Sequence, residues 1–181
     1  MRKIVSGLFI SLDGVVSAPD TWHFPYFNEE MGQAVQDQMA DADAMLLGRR
    51  TYAEFAAYWP NHPSDVPPGD YMNHTEKFVA SSTLDKVEWS NSTLLRGDLV
   101  QELTRLKAQP GRNINVVGSP TLVRFLLRER LLDQLNLLVH PLVVGAGDRL
   151  FDGIGAEVPL RLARSQTFST GVLYLNYEPA Q

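Results

Sequence analysis

Three stretches of the chain put anion-binding groups at the point where an apolar run ends: Gly48-Arg49-Arg50-Thr51, Ser81-Ser82 and Gly118-Ser119-Pro120-Thr121-Leu122. A strand that stops at glycine and opens a helix leaves backbone N–H groups without partners, and these suit a phosphate or pyrophosphate. Ser119 is a good N-cap, and Pro120 stands where a helix needs no N–H. Thr51 and Glu54 match a capping box with Thr51 at the N-cap. Arg49 and Arg50 oppose the dipole of the helix they open, and an anion between them relieves that conflict. Each stretch also has a plainer reading. Glycine–serine turns join strands to helices, serines form turns, and arginines solvate surfaces. Brought to one sheet edge, the three would hold a phosphate-rich cofactor that none holds alone.

Other chemistries lack their residues. The chain has no cysteine, and its four histidines (His23, His62, His74, His140) lack the close helical pairing of a zinc site, so no metal is expected. There is no P-loop, no nucleophile elbow and no Rossmann glycine fingerprint. A net charge of −5 without a basic cluster argues against nucleic acid and anionic membranes as partners. No apolar run approaches the roughly 20 residues of a membrane span. Met1-Arg2-Lys3 leads straight into an apolar run with Asp13 close behind, which does not fit a secretory signal, and a cytoplasmic location is the expectation.

The elements that position these groups follow from periodicity. Lys3 to Leu12, Ala44 to Leu47, Lys77 to Ala80, Ile114 to Val117 and Leu135 to Val139 read as strands, the last running through His140-Pro141 into Leu142-Val143-Val144. Asn28 caps a helix to about Ala42 with Met31, Val35 and Met39 on one face, and Asp98 caps another with Leu99, Leu103 and Leu106 inward. Leu122, Val123, Leu126 and Leu127 give the helix after Ser119 its apolar face. The aromatic segment from Ser17 to Phe27 is either a packed loop or a substrate-contacting one. Pro60 to Pro68 reads as a loop, and Leu160 to Tyr177 as a hairpin around Ser169-Thr170-Gly171. The expected fold is a single α/β domain over 1–181: three α/β/α layers, a mixed, mostly parallel sheet and a C-terminal antiparallel hairpin.

In order and spacing these segments resemble the dihydrofolate-reductase-like superfamily. The branch containing the reductase domain of the riboflavin-biosynthesis deaminase–reductase is the nearer match. The resemblance rests on Ser11-Leu12-Asp13-Gly14, Ala42 through Arg49, Ala80-Ser81-Ser82, Val116 through Ser119, and Leu131 through Leu135 running on to Pro141 through Gly145. It implies NADPH as cofactor. Arg49 and Ser82 would meet the 2′-phosphate with Ser81 nearby, while Gly48, Thr51 and the turn Gly118, Ser119, Pro120, Thr121 and Leu122 would hold the pyrophosphate and nicotinamide side. Many relatives carry Gly-Gly where this chain has Gly118-Ser119, and dihydrofolate reductases often carry Arg where Thr121 stands.

The resemblance further implies hydride transfer to an imine or carbonyl carbon of a small heterocycle, as in reduction of a phosphoribosylamino-uracil in riboflavin biosynthesis. Asp13 is the catalytic candidate for orienting or protonating substrate, its alternative being the Asp-Gly turn alone. Glu29 and Glu30 open the helix where dihydrofolate reductases place their pterin-binding acid, or simply favour its dipole. A pterin reductase and a non-catalytic nucleotide-binding module are the other readings. A homodimer is expected, as relatives often form them.

Overall fold

The computed structural model describes residues 1–62 and 68–180. Eight strands form one sheet: β1 (Ile4–Ser11), β2 (Ala42–Gly48), β3 (Glu76–Ala80), β4 (Ser92–Leu95), β5 (Asn113–Val116), β6 (Gln134–His140), β7 (Leu160–Thr167) and β8 (Leu173–Pro179). Their order is β4-β3-β2-β5-β1-β6-β8-β7, all pairs parallel except β6–β8 and β8–β7. The helices are α1 (Glu29–Ala40), α2 (Arg49–Tyr58), α3 (Gly69–His74), α4 (Leu99–Ala108) and α5 (Pro120–Arg128).

Alternation along β2 shows why there are three layers. Ala44 and Leu46 pack with Ile114, Leu103 and Leu126, beneath α4 and α5. Met45 and Leu47 face the other way, into a cluster with Tyr52, Met72 and Trp89 beneath α2 and α3. A strand buried on both faces needs apolar residues at every position, which is what the near-continuous run supplies. On the α2 side of the sheet, α1 seats Met31 against Leu138, Phe168 and Val172.

Several expectations need correction. Thr51 is not an N-cap: β2 runs without a break into α2, Gly48 takes the N-cap position, and Thr51 lies one turn inside. Helix α1 keeps its Asn28 cap, whose side chain accepts from the Met31 N–H at 3.0 Å, but ends at Ala40 because Ala42 already pairs with Asn113. Strand β6 stops at His140, since Pro141 offers no N–H to continue the ladder. Strand β4 and the short α3 were not anticipated. The hairpin is as expected, with Phe168 donating to the Val172 carbonyl across its turn. Of the Pro60 to Pro68 loop, Pro60 lies in a 3-10 turn (Trp59–Asn61), and residues 63–67 fall outside the described residues.

Lys77 explains how the unanticipated pieces are joined. Its side chain is fully buried, donates to the carbonyls of Thr75 (2.7 Å), Ser90 (3.0 Å) and Asn73 (3.3 Å), and lies 4.3 Å from the centre of the Trp89 ring. The ammonium thus ties the end of α3 to the turn before β4. Burial pushes its pKa down to about 8.

Candidate functional site

Strands β3, β2 and β5 are neighbours and parallel, so Ala80, Gly48 and Val116 bring the three anion-binding stretches to one edge. There the chain knots tightly. Gly48 donates its N–H to the Gly118 carbonyl at 3.2 Å. A Cβ on Gly48 would sit 2.6 Å from Ser119 Oγ, and one on Gly118, whose φ is +145°, 2.7 Å from Thr51 Oγ1. The Gly118–Ser119 peptide is cis. A side chain at 118 is disfavoured by both backbone and contact, and one at 48 would have to displace Ser119.

Two helices, α2 and α5, open at this knot, and neither Gly48 nor Ser119 caps its helix with a side-chain bond among the described residues. The first N–H groups of each remain available, beside the exposed Arg49 and Arg50. Ser81 Oγ accepts from the N–H groups of Thr83 (3.2 Å) and Leu84 (3.1 Å), so it shapes its turn, while Ser82 is exposed next to it. Arg96, just past β4, joins this edge and donates to the Asp85 carbonyl. Sequence reading missed Arg96 because the strand that delivers it was missed.

These groups line a cleft of about 1340 Å³. Gly48, Arg49, Thr51, Ser81 and Ser82 form one part of its wall, and Gly118, Ser119, Pro120, Thr121 and Leu122 another. Thr121 Oγ1 accepts from Arg124 at 3.2 Å, so a guanidinium stands beside the position where relatives carry Arg. Away from the strand ends the cleft continues between Val35, Gln38 and Met39 of α1 and Phe55 and Tyr71 opposite. Its floor there is Gly7, Phe9 and Asn115. Arg50 and Asp148, 3.8 Å apart, both border the same cleft.

Other candidates stand elsewhere. Asp13 is not among the residues lining the cleft. Its carboxylate accepts from Ser11 Oγ at 2.5 Å and from the N–H groups of Val144 (3.0 Å) and Gly145 (2.9 Å), with Arg149 at 3.6 Å. The Ser11 hydroxyl and the two amides hold its pKa down to about 2. It braces the glycine-rich loop after β6, and an ionised, fully engaged carboxylate gives no support to a proton-donating role. Glu29 and Glu30 border a separate groove of about 840 Å³ between α1 and the hairpin. Glu30 accepts from the Ser169 N–H at 2.8 Å, which lowers its pKa. The aromatic segment divides between the cleft wall and the packed interior. Ser17, Ala18 and Pro19 line the cleft, whereas Trp22 and His23 are buried against Phe9 and His140. Burial lowers the pKa of both His23 and His140.

A chain of side-chain amides joins this second arm of the cleft to the groove between α1 and the hairpin: all five members line the groove, and Gln38 and Asn115 also line the cleft. Gln134 (2.8 Å) and Asn176 (2.6 Å) donate to Asn136 Oδ1, Asn136 donates to Gln38 Oε1 at 3.2 Å, and Gln38 donates to Asn115 Oδ1 at 2.7 Å. Gly7 makes room for it, since a Cβ there would lie 2.2 Å from Gln38 Oε1. Asn115, Asn136 and Asn176 are all buried. The available signal was an asparagine set between apolar residues in mid-strand, three times over: Ile114-Asn115-Val116, Leu135-Asn136-Leu137 and Leu175-Asn176-Tyr177.

Comparison with known proteins places this geometry. Residues 2–174 match the family model described as the RibD C-terminal domain. The uncharacterized protein YyaP of Bacillus subtilis (strain 168) is 26% identical over 182 residues, covering 97% of this chain and 94% of the relative. A crystal structure of a putative riboflavin biosynthesis protein from Shewanella sp. PV-4 superposes with a TM-score of 0.82 at 19% identity, covering 99% of this chain and 100% of that one. Dihydrofolate reductase from Enterococcus faecalis, complexed with NADP(H), superposes with a TM-score of 0.65 at 15% identity over 99% and 97% of the two chains. The fold is dihydrofolate-reductase-like.

Proposed function

We propose that this chain, which belongs to the RibD C-terminal domain family, is an NADPH-dependent reductase of a small heterocyclic substrate. One observation carries the reading: two helix N-termini without side-chain caps and the Arg49 guanidinium share one cleft, whose second arm runs on past α1, Phe55 and Tyr71. The residues fit the cofactor's chemistry. The free N–H groups of Thr121 and Leu122 suit a pyrophosphate, and the glycines at 48 and 118 keep that edge free of Cβ atoms. Arg49 and Ser82 are the pair for a 2′-phosphate, with Arg96 at the same edge.

NADPH, when bound, supplies the hydride. The chain's own part is to align the acceptor carbon and to exclude water. Val35, Met39, Phe55 and Leu138 give the second arm apolar walls, and Ala18 and Pro19 border the cleft beside them. Asp13 works at a distance in this scheme, fixing the loop that carries Asp148. The favoured reaction is reduction of an imine or carbonyl carbon, on a substrate of the phosphoribosylamino-uracil kind. A pterin bound through an acid on α1 has less support, because Glu29 and Glu30 border the other groove.

Paired titrations with NADPH and NADH, followed through quenching of Trp22, Trp59 and Trp89, test this. Charge-assisted hydrogen bonds to a phosphate are worth roughly 1.5–3 kcal/mol each. NADPH should therefore bind on the order of 10-fold more tightly than NADH, and Arg49→Ala should remove most of the difference. Weak binding of both nucleotides would overturn the proposal.

A further inference from the structure

The amide chain that reaches the second arm has a direction, and the direction determines what the cleft presents to a ligand. Each carbonyl oxygen from Asn136 through Gln38 to Asn115 is taken by the N–H₂ of the amide before it. The last member, Asn115, has its oxygen occupied by Gln38, and no hydrogen bond from its Nδ2 is present among the described residues. Across from it stands Tyr71, whose hydroxyl is buried and has no hydrogen-bond partner among the described residues. Burial pushes the pKa of that phenol up, and the neighbouring Asn115 amide opposes the rise. Both side chains line the cleft. A buried polar atom without a partner is uncommon and calls for an explanation.

The cost the fold accepts for this arrangement is visible. Glycine in mid-strand weakens a sheet and marks the close approach of another group. At Gly7 the approaching group is the Gln38 amide, which lies flat on β1 with no space for a Cβ. Four further amide-bearing residues, two of them buried strand asparagines, are linked in series to orient a single N–H₂.

We propose that Asn115 and Tyr71 are specificity-determining residues of the second arm: their N–H₂ and O–H donate to a carbonyl oxygen on a neutral, planar ring, and the amide chain is the device that keeps Asn115 facing donor-side out. The pair selects a cyclic amide edge over an amidine edge, which would set an amino donor against donors where the amide places its carbonyl oxygen. No carboxylate takes part in the readout, unlike a site built to receive a protonated ring. This inference rests on the reductase reading only in taking the second arm as the substrate's place.

Lumazine and 2,4-diaminopteridine share a ring and present opposite edges, so fluorescence titration of both, with and without saturating NADP⁺, is the test. The wild type should bind lumazine at least 10-fold more tightly than the diamine. Asn115→Asp retains the oxygen that Gln38 needs and replaces the donor by an acceptor, so it should reverse the preference. Tyr71→Phe keeps the ring and should weaken lumazine several-fold while leaving NADPH affinity and thermal unfolding unchanged. Equal binding of the two rings, an unaltered preference in Asn115→Asp, or failure of an NADPH-competent protein to bind lumazine would each overturn the assignment. Lumazine selectivity in a protein that does not bind NADPH would support the donor pair and overturn the reductase reading instead.

Discussion

The two arms of the cleft are made in opposite ways. At the strand ends the working groups are backbone N–H groups, exposed arginines and hydroxyls, each set by the few residues around it. Gly48 through Thr51 forms such a unit, and Gly118 through Leu122 another. In the second arm the working groups are side-chain amides drawn from α1, β5, β6 and β8, with bonded partners up to 98 residues apart in the case of Gln38 and Asn136. The first kind of site is a property of short sequences. The second exists only once the sheet has closed around it.

This difference predicts separable damage. The largest effect is expected at Gly7: an alanine there must displace the Gln38 amide and break its buried bonds, costing about 3 kcal/mol. Urea unfolding should show the loss, and protein that remains folded should bind NADPH with unchanged affinity but lumazine poorly. A loss of NADPH affinity in parallel would mean that the two arms are one unit. Next comes Gly48→Ala, where the added methyl meets Ser119 Oγ at 2.6 Å. A cost of about 2 kcal/mol and weakened NADPH binding are expected. Ser119→Gly removes the obstacle, so the double variant should recover most of both, a coupling that a double-mutant cycle reads directly. If Gly48→Ala is equally harmful with glycine at 119, the close approach is not what demands glycine.

Smaller effects should divide by pH. His23 and His140 stand behind the second arm, stacked on and edge-on to Phe9, and burial lowers the pKa of each from 6.5. The unfolded chain then binds more protons than the native one below pH 6.5, so stability should fall as the pH drops through that value. Lys77, behind the strand ends, acts in the same sense at higher pH. Its native pKa is about 8 against 10.5 unfolded, so stability from this group should rise as the pH increases from 8 to 10.5. Urea midpoints measured across both ranges should show His140→Gln reducing the first slope, with His23 carrying the remainder, and Lys77→Met removing the second.

How much was legible follows the same division. The junctions at Gly48 and Gly118, the Asn28 cap, Pro120 at the first helical position and the turn at Ser169 through Gly171 are local patterns, and they were readable as such. The capping box at Thr51 misled because a strand running directly into a helix moves the start three residues earlier. Strand β4 is four residues at the sheet edge with little apolar content, and only its pairing with β3 identifies it. Gln38, Asn115, Asn136 and Asn176 are polar residues, which single-sequence reading assigns to surfaces. Their burial comes from partners far along the chain.

The position of β1 has a consequence for how the chain is made. It lies in the middle of the sheet, between β5 and β6, with Ile4 beside Ile114 and Val5 beside Gln134. This strand therefore has no native neighbour until more than a hundred further residues have emerged. An apolar, unpaired strand during that interval is the species most exposed to association with other nascent chains. Slow translation or low temperature should thus affect yield more through β1 than through the hairpin β7–β8, whose partners are made within seconds of each other.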